Sequence, residues 1–222
     1  MTRAGVPLVP ALLLAALAGA LMPSPSGAMS VNLISNGEFE YPAGITSYNI
    51  LPTNGVPGWG TTDSGIEIWG QGFSGSPSYG SDGNPTGQSL ELNANMGGAS
   101  VFQTFTVPLD ITSGAAVLSF DAWPRENALG TVSLQGTVSG QILAPSAIAM
   151  NGSLWTPNVF NVTVAAGEMV TLLFQAFGGT SAVSPHVDQV SFAVSVPEPG
   201  MLALSAAGLA LLAGLRRRRR SH

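Results

Sequence analysis

The chain of 222 residues has no cysteine and no lysine. Without cysteine, no disulfide staples the fold and no thiolate site for zinc can form within the chain. Without lysine, Schiff-base chemistry and lysine general bases are excluded. Histidine occurs only at His186 and His222, so a histidine-rich metal cluster is excluded as well. No G-x-S-x-G elbow, phosphate-binding loop or dinucleotide fingerprint occurs among the glycines. Charged residues are only 9% of the chain, and six of the seven arginines lie near its ends. Between Met29 and Val196, eleven acids face one cation, Arg125, for a formal charge of −10. That surface repels nucleic acid, which requires a basic patch. It suits neutral ligands or divalent cations.

What the chain does have is strongest at its ends. Arg3 is followed by a nearly unbroken run of Leu, Ala and Val from Leu8 to Met22. Ser26-Gly27-Ala28 then offers small residues for cleavage. This is the layout of a secretory signal peptide over 1–28, with Met29 the expected first mature residue. At the other end, Val196-Pro197-Glu198-Pro199 precedes an apolar stretch from Met201 to Leu215 and the block Arg216 to Arg220. As a helix the apolar part would be roughly 22 Å long, short of the ~30 Å core of a bilayer. Positive charge would hold the arginines in the cytoplasm.

The sequence 197–222 resembles the PEP-CTERM sorting signal of Gram-negative bacteria, carried by Pro197, Glu198, Pro199, the apolar segment and the arginine block. The resemblance implies a transient inner-membrane helix recognised by an exosortase after export by the general secretion machinery. It also implies a final location at the cell surface or outside the cell.

The span 29–196 has one domain's length. Its apolar residues alternate at strand spacing and show no helical period. The expected strands are Val31 to Ile34, Gly65 to Trp69, Ser89 to Asn93, Ala99 to Val107, Ala116 to Trp123, Thr131 to Leu134, Gln141 to Ala144, Phe160 to Val164, Val170 to Ala176 and Val190 to Val196. Tyr41 to Gly65 and Gly70 to Gly87 read as loop, because Gly, Pro and Asn punctuate them. About ten short strands with one apolar face each predict an all-β, antiparallel β-sandwich. The order of Asn32 to Glu40, the Trp59 loop, the strand segments and Val187-Asp188-Gln189-Val190 resembles galactose-binding-like jelly rolls, including bacterial carbohydrate-binding modules.

That resemblance implies a structural calcium where the first strand region meets the last. Asn36, Gly37, Phe39 and Glu40 map to one side, and Val187 and Asp188 to the other. Carboxylate and carbonyl oxygens are the ligands calcium prefers, and Glu40 and Asp188 brought together would repel unless metallated or protonated. The segment Asp82 to Gly87 matches half an EF-hand loop, but position twelve is Asn93 and the flanks are not helical.

Sugar rings stack on aromatic faces, with amides and charged groups on their hydroxyls. Trp69 and Trp123 each end a strand, so exposed rings there would form a platform with Arg125, Gln71 and Asn127 at its rim. The alternative is that these tryptophans pack in the core, and that Arg125 pairs with a carboxylate. Glu67, Glu91, Asp121 and Glu126 are the carboxylates available for glycoside hydrolysis, although Glu67 and Glu91 read as solvent-facing. The resulting expectation is an exported, non-enzymatic sandwich with a structural or interaction role at the cell surface or in the extracellular matrix. A calcium-dependent module for extracellular polysaccharide comes second and a glycoside hydrolase third.

Overall fold

The computed structural model describes residues 28–70, 87–92, 99–126, 128–152, 154–177, 183–197 and 208–209. Residues Met29–Val196 form one compact unit. Two antiparallel sheets build it, and among its described residues there is no helix. The first sheet runs in the order β10 (Thr156–Thr163), β7 (Ala115–Trp123), β12 (His186–Pro197), β5 (Ser89–Glu91), β4 (Ile66–Trp69) and β2 (Tyr48–Leu51). The strand β1 (Ala28–Asn32) pairs with β12 off this path. The second sheet runs β3 (Gly60–Thr61), β6 (Ser100–Thr106), β11 (Met169–Phe177), β8 (Leu129–Gly136) and β9 (Gly140–Ala147). This is the antiparallel β-sandwich expected from the alternation, of the jelly-roll kind that the resemblance implied.

The two sheets bury a common core. Leu118, Phe120 and Ala122 of β7 face it, as do Leu172 and Phe174 of β11 and Phe192 and Val194 of β12. Trp59 belongs to this core: it is 4% exposed, with its ring centroid 5.1 Å from that of Phe39 and 6.2 Å from that of Phe174. Its Nε1 donates to the Asn36 carbonyl at 3.1 Å. Gln103 also points inward, and its amide exchanges hydrogen bonds with the Ser35 backbone at 2.8 and 2.9 Å. A buried amide is tolerable only when paired in this way.

Two strands fall where the sequence reads as loop. β2 and β3 lie within Tyr41 to Gly65, and their alternation is too short and too interrupted by Pro and Gly to register. The other strands match within a few residues, apart from β12, which starts earlier, at His186, and β1, which starts earlier and ends at Asn32. The β12–β7 register shifts between Asp188 and Ser191, where Gln189 has a positive φ of 53°. There the Val190 amide bonds the Gly37 carbonyl at 2.9 Å. A Cβ on Gly37 would run into the Val190 carbonyl oxygen, so this close approach requires glycine.

Candidate functional site: the outward face of the first sheet

Alternation fixes which side chains share a face. On β4, Ile66 and Ile68 enter the core, so Glu67 and Trp69 point outward. On β5, Leu90 enters, leaving Ser89 and Glu91 outside. Val187 and Ala122 do the same for β12 and β7, leaving His186, Asp188, Asp121 and Trp123 outside. Cross-strand register then aligns them: Glu67 opposes Glu91, Glu91 opposes His186, and His186 opposes Trp123. Four neighbouring strands thus place two carboxyls, an imidazole and an indole in one row.

An outward face is ordinarily wet, yet this row is not. Glu67 is 6% exposed, Glu91 1% and His186 0%. The expectation that Glu67 and Glu91 face solvent is therefore corrected. Arg125, in the turn after β7, reaches across the sheet, and its Nη1 bonds both Glu91 oxygens at 2.8 and 2.9 Å. The Ser184 amide donates to Glu91 at 2.9 Å, and the Trp69 Nε1 donates to Glu67 at 2.8 Å. The guanidinium carbon lies 4.5 Å from the Trp69 ring centroid, in cation–π geometry. His186 takes Ser89 Oγ at 3.0 Å on Nδ1. Its ring meets Trp69 and Trp123 nearly perpendicularly, at centroid distances of 5.2 and 5.4 Å.

The electrostatics follow from this crowding. Desolvation, then the nearby Glu67 charge, push the Glu91 carboxyl up to about 7, against the pull of Arg125 and Ser184. Desolvation also raises Glu67, opposed by the Trp69 hydrogen bond. Two opposed carboxyls in a dry site cannot both ionise cheaply, and both stand above their ordinary value. Burial, then Arg125, lowers His186 to about 3, which keeps the imidazole neutral. The set therefore offers a neutral imidazole, a guanidinium, two carboxyls of raised pKa and two indoles. That combination suits hydrogen-bonding recognition of an uncharged polar ligand.

The platform residues Trp69, Trp123 and Arg125 do converge. Trp69, however, is 4% exposed with Arg125 over its ring, which corrects the expectation of two open indole faces. Trp123 and Arg125 are half-buried. Gln71 and Asn127 lie outside the described residues. So do Glu198 and Pro199 of the sorting motif, whereas Pro197 ends β12. The apolar stretch after it also lies outside them, apart from residues 208–209. Among the described residues no helix is long and apolar enough to cross a membrane.

The residues matched to calcium are partly gathered. Asn36 and Glu40 line a cleft of about 510 Å³ with Glu38, Tyr41, Gln189 and Ser191, whereas Val187 and Asp188 do not line it. Glu40 accepts the Gln88 amide at 2.9 Å, and Asp188 accepts the Gln189 amide at 2.7 Å. Both polar atoms of the Asn36 side chain hold the Tyr41 backbone, at 2.8 and 3.1 Å. Among the described residues no group of three or more histidine, aspartate or glutamate side chains stands together as a metal site.

Sequence reasoning did not single out Ser89 or Ser184, and it placed His186 in no site. Alternation put Glu67 and Glu91 on outward faces and could have done the same for His186, but only the register shows that they are neighbours.

No family model matches the chain, and no curated protein does. Among solved structures, the Stig cyclase Fisc from Fischerella sp. TAU, in complex with (3Z)-3-(1-methyl-2-pyrrolidinylidene)-3H-indole, superposes with a TM-score of 0.55 at 15% identity, covering 77% of this chain and 100% of that one. A cyclase from the same organism, in complex with 4-(1H-indol-3-yl)butan-2-one, gives a TM-score of 0.52 at 16% identity, covering 76% and 99%. The CBM22-1 xylan-binding domain from Paenibacillus barcinonensis Xyn10C gives 0.42 at 11% identity, covering 70% and 100%. What this chain shares with the two cyclases is the fold, an antiparallel β-sandwich.

Proposed function

We propose that the mature domain is an exported β-sandwich that binds a neutral carbohydrate at the Trp123 and Arg125 end of its first sheet. The observation that carries this reading is the buried row of Glu67, Glu91 and His186 on the outward face. Buried ionisable groups cost several kcal/mol each before their contacts offset the loss, and apolar replacements are often more stable. A sheet kept only for its shape has no use for such a row. Perturbed, desolvated groups concentrate where ligands bind. Trp123 supplies the indole surface for a sugar ring, and Arg125 the hydrogen-bond donors at its edge.

Affinity electrophoresis against neutral and acidic polysaccharides, run beside thermal melts, tests the proposal. Retention by a neutral polymer should be lost in W123A while the melting midpoint falls by only a few degrees. Equal retention of W123A and wild type would sink it. The opposed Glu67 and Glu91 also support glycoside hydrolysis as a second reading. Release of reducing sugar that disappears in E67Q would favour it over binding alone.

Two further roles belong to the same proposal. The domain reaches the cell surface through the general secretion machinery and an exosortase acting on Pro197, Glu198 and Pro199. Mass spectrometry that found Arg216 to Arg220 in the surface form would exclude removal of the tail. Calcium, held by Glu40 and the Asn36 region in the cleft beside Gln189 and Ser191, ties the first strand region to the last. A ligand that binds only the folded state adds about 2.7 kcal/mol at a hundredfold excess over Kd. A midpoint unchanged between EDTA and millimolar calcium would rule this out.

A further inference from the structure

The two ends of the sandwich domain meet at one pole. Gly37 bonds Val190 and Leu33 bonds Phe192, so numbers fall on one side as they rise on the other. The strand β1 therefore runs back from Asn32 along β12, and Met29 lies towards Val196. At this pole the β6–β7 loop, the β8–β9 turn and the turn before β11 are tied together. The Thr112 amide donates to the Ser195 carbonyl at 2.9 Å, and the Val107 amide to the Glu168 carbonyl at 2.9 Å. The Thr137 amide donates to the Met169 carbonyl at 3.0 Å. Leu109 stands against Gly167, where an added Cβ would run into it. Three neighbouring apolar side chains open outward from this ring: Leu109 at 84% exposure, Val138 at 73% and Met169 at 50%. Single exposed apolar residues are ordinary, but a group of them marks a contact surface. Asp110 is the one exposed charged side chain on these three connections.

Resting on the reading of 197–222 as a membrane-inserted tail, we infer that Leu109, Val138 and Met169 form a cap by which the folded domain lies on the lipid headgroups. What commits the cap to a bilayer is the short link to the tail. Pro197 ends β12, and only Glu198, Pro199 and Gly200 separate it from the apolar stretch that begins at Met201. Fully extended, that link spans no more than about 14 Å. The stretch itself, roughly 22 Å long as a helix, falls about 8 Å short of the hydrocarbon core. With the arginines held on the far side, the shortfall draws Met201 below the near surface. What remains of the link is about 6 Å, the thickness of one headgroup layer. The run Leu8 to Met22 leads into the same pole through β1. Charge is not the attraction, because a domain of formal charge −10 is repelled by anionic lipid. Apolar side chains entering the headgroup layer of neutral lipid are the attraction that is left. The arrangement also turns the Trp123 and Arg125 end away from the membrane, since β7 starts at the cap pole and ends at Trp123.

The chain has no cysteine, so single labels can be placed by substitution. The full chain carrying L109C, V138C or L154C, each with a nitrobenzoxadiazole label, is reconstituted into phosphatidylcholine vesicles with and without doxyl-labelled lipid. Leu154 is the control. It is 72% exposed, much like Leu109 and Val138. It precedes β10, however, whose eight residues carry the chain about 25 Å to the cap pole. The labels at 109 and 138 should be quenched by doxyl lipid several-fold more strongly than the label at 154. Equal quenching at all three positions, or none at 109 and 138, overturns the inference while the tail reading stands. Blue-shifted emission at 109 and 138 that grows with the protein-to-lipid ratio, without quenching by doxyl lipid, assigns the surface to a second copy of the chain and overturns it too. If the chain does not float with the vesicles, the tail reading falls and the inference falls with it.

Discussion

Glu91 and Glu168 are each 1% exposed, yet their acidities stand on opposite sides of the ordinary value. Glu168 sits in the turn before β11 and receives four hydrogen bonds. The Ala165 amide and Ser139 Oγ reach Oε1 at 2.5 and 2.9 Å, and the Ser139 and Val138 amides reach Oε2 at 3.0 and 3.3 Å. Desolvation raises its carboxyl, but the donors together outweigh it and hold the group below its ordinary value. The result is a clamp between the β8–β9 turn and the turn before β11. Glu91 also has good donors, but it stands opposite Glu67 in the same dry row. There the desolvation and the second acid win, and the carboxyl rises. Depth alone therefore does not separate a structural carboxylate from one in a site. The number of donors set against competing charges does.

The largest expected difference between the two is in stability. E168A removes all four acceptor contacts and should cost about 2–3 kcal/mol at pH 7, the range for hydrogen bonds to a charged group. Denaturant unfolding at pH 7 measures it. A loss under about 0.5 kcal/mol would remove the clamp from the argument.

The pH dependence should come next, and the two residues should shape opposite limbs. Glu168 is depressed, so its stabilisation is present above its ordinary value of 4.5 and is lost as pH falls. Glu91 is raised, so more protons are bound in the folded state between 4.5 and about 7. Its contribution is full below 4.5 and is lost as pH rises through 7. Thermal melts from pH 3.5 to 8 should peak near pH 4.5, where the two limbs meet. E168Q should flatten the acid limb and E67Q the neutral one. A neutral limb of equal slope in E67Q would show that the carboxyl pair is not its source.

The smallest effect is the most telling one. E67Q keeps an acceptor for Trp69 Nε1 and removes the charge that opposes Glu91. It should leave stability at pH 8 unchanged or raise it by up to about 1 kcal/mol, whereas E168Q should lower it. A clear loss in E67Q would place Glu67 with the structural carboxylates.

Much of this was legible from the residues alone. Alternation identified most of the strands, because a half-buried strand must repeat every second residue. Leu90 and Leu92, Phe120 and Ala122, and Val101, Gln103 and Phe105 all face the core as their spacing requires. The fold class followed from those strands and from the lack of helical period. The absence of lysine and the single interior arginine pointed to a carboxylate partner for Arg125, but which of eleven acids it takes was not written locally.

The tertiary structure decided the rest, through register. Glu67, Glu91, His186 and Trp123 are up to 119 residues apart in numbering for the first and third, and no local signal relates them. A shift of one residue in any pairing would send the side chains to the opposite face. Burial was equally hidden: Glu67 and Trp69 occupy the face that alternation assigns to water, and only the reach of Arg125 over Trp69 to Glu91 shows it to be closed. Sequence sets the face on which each side chain stands, because the strand period is local. Which strands lie side by side, and what covers them, is set by contacts between distant segments, and those contacts make the carboxyl pair and the neutral imidazole.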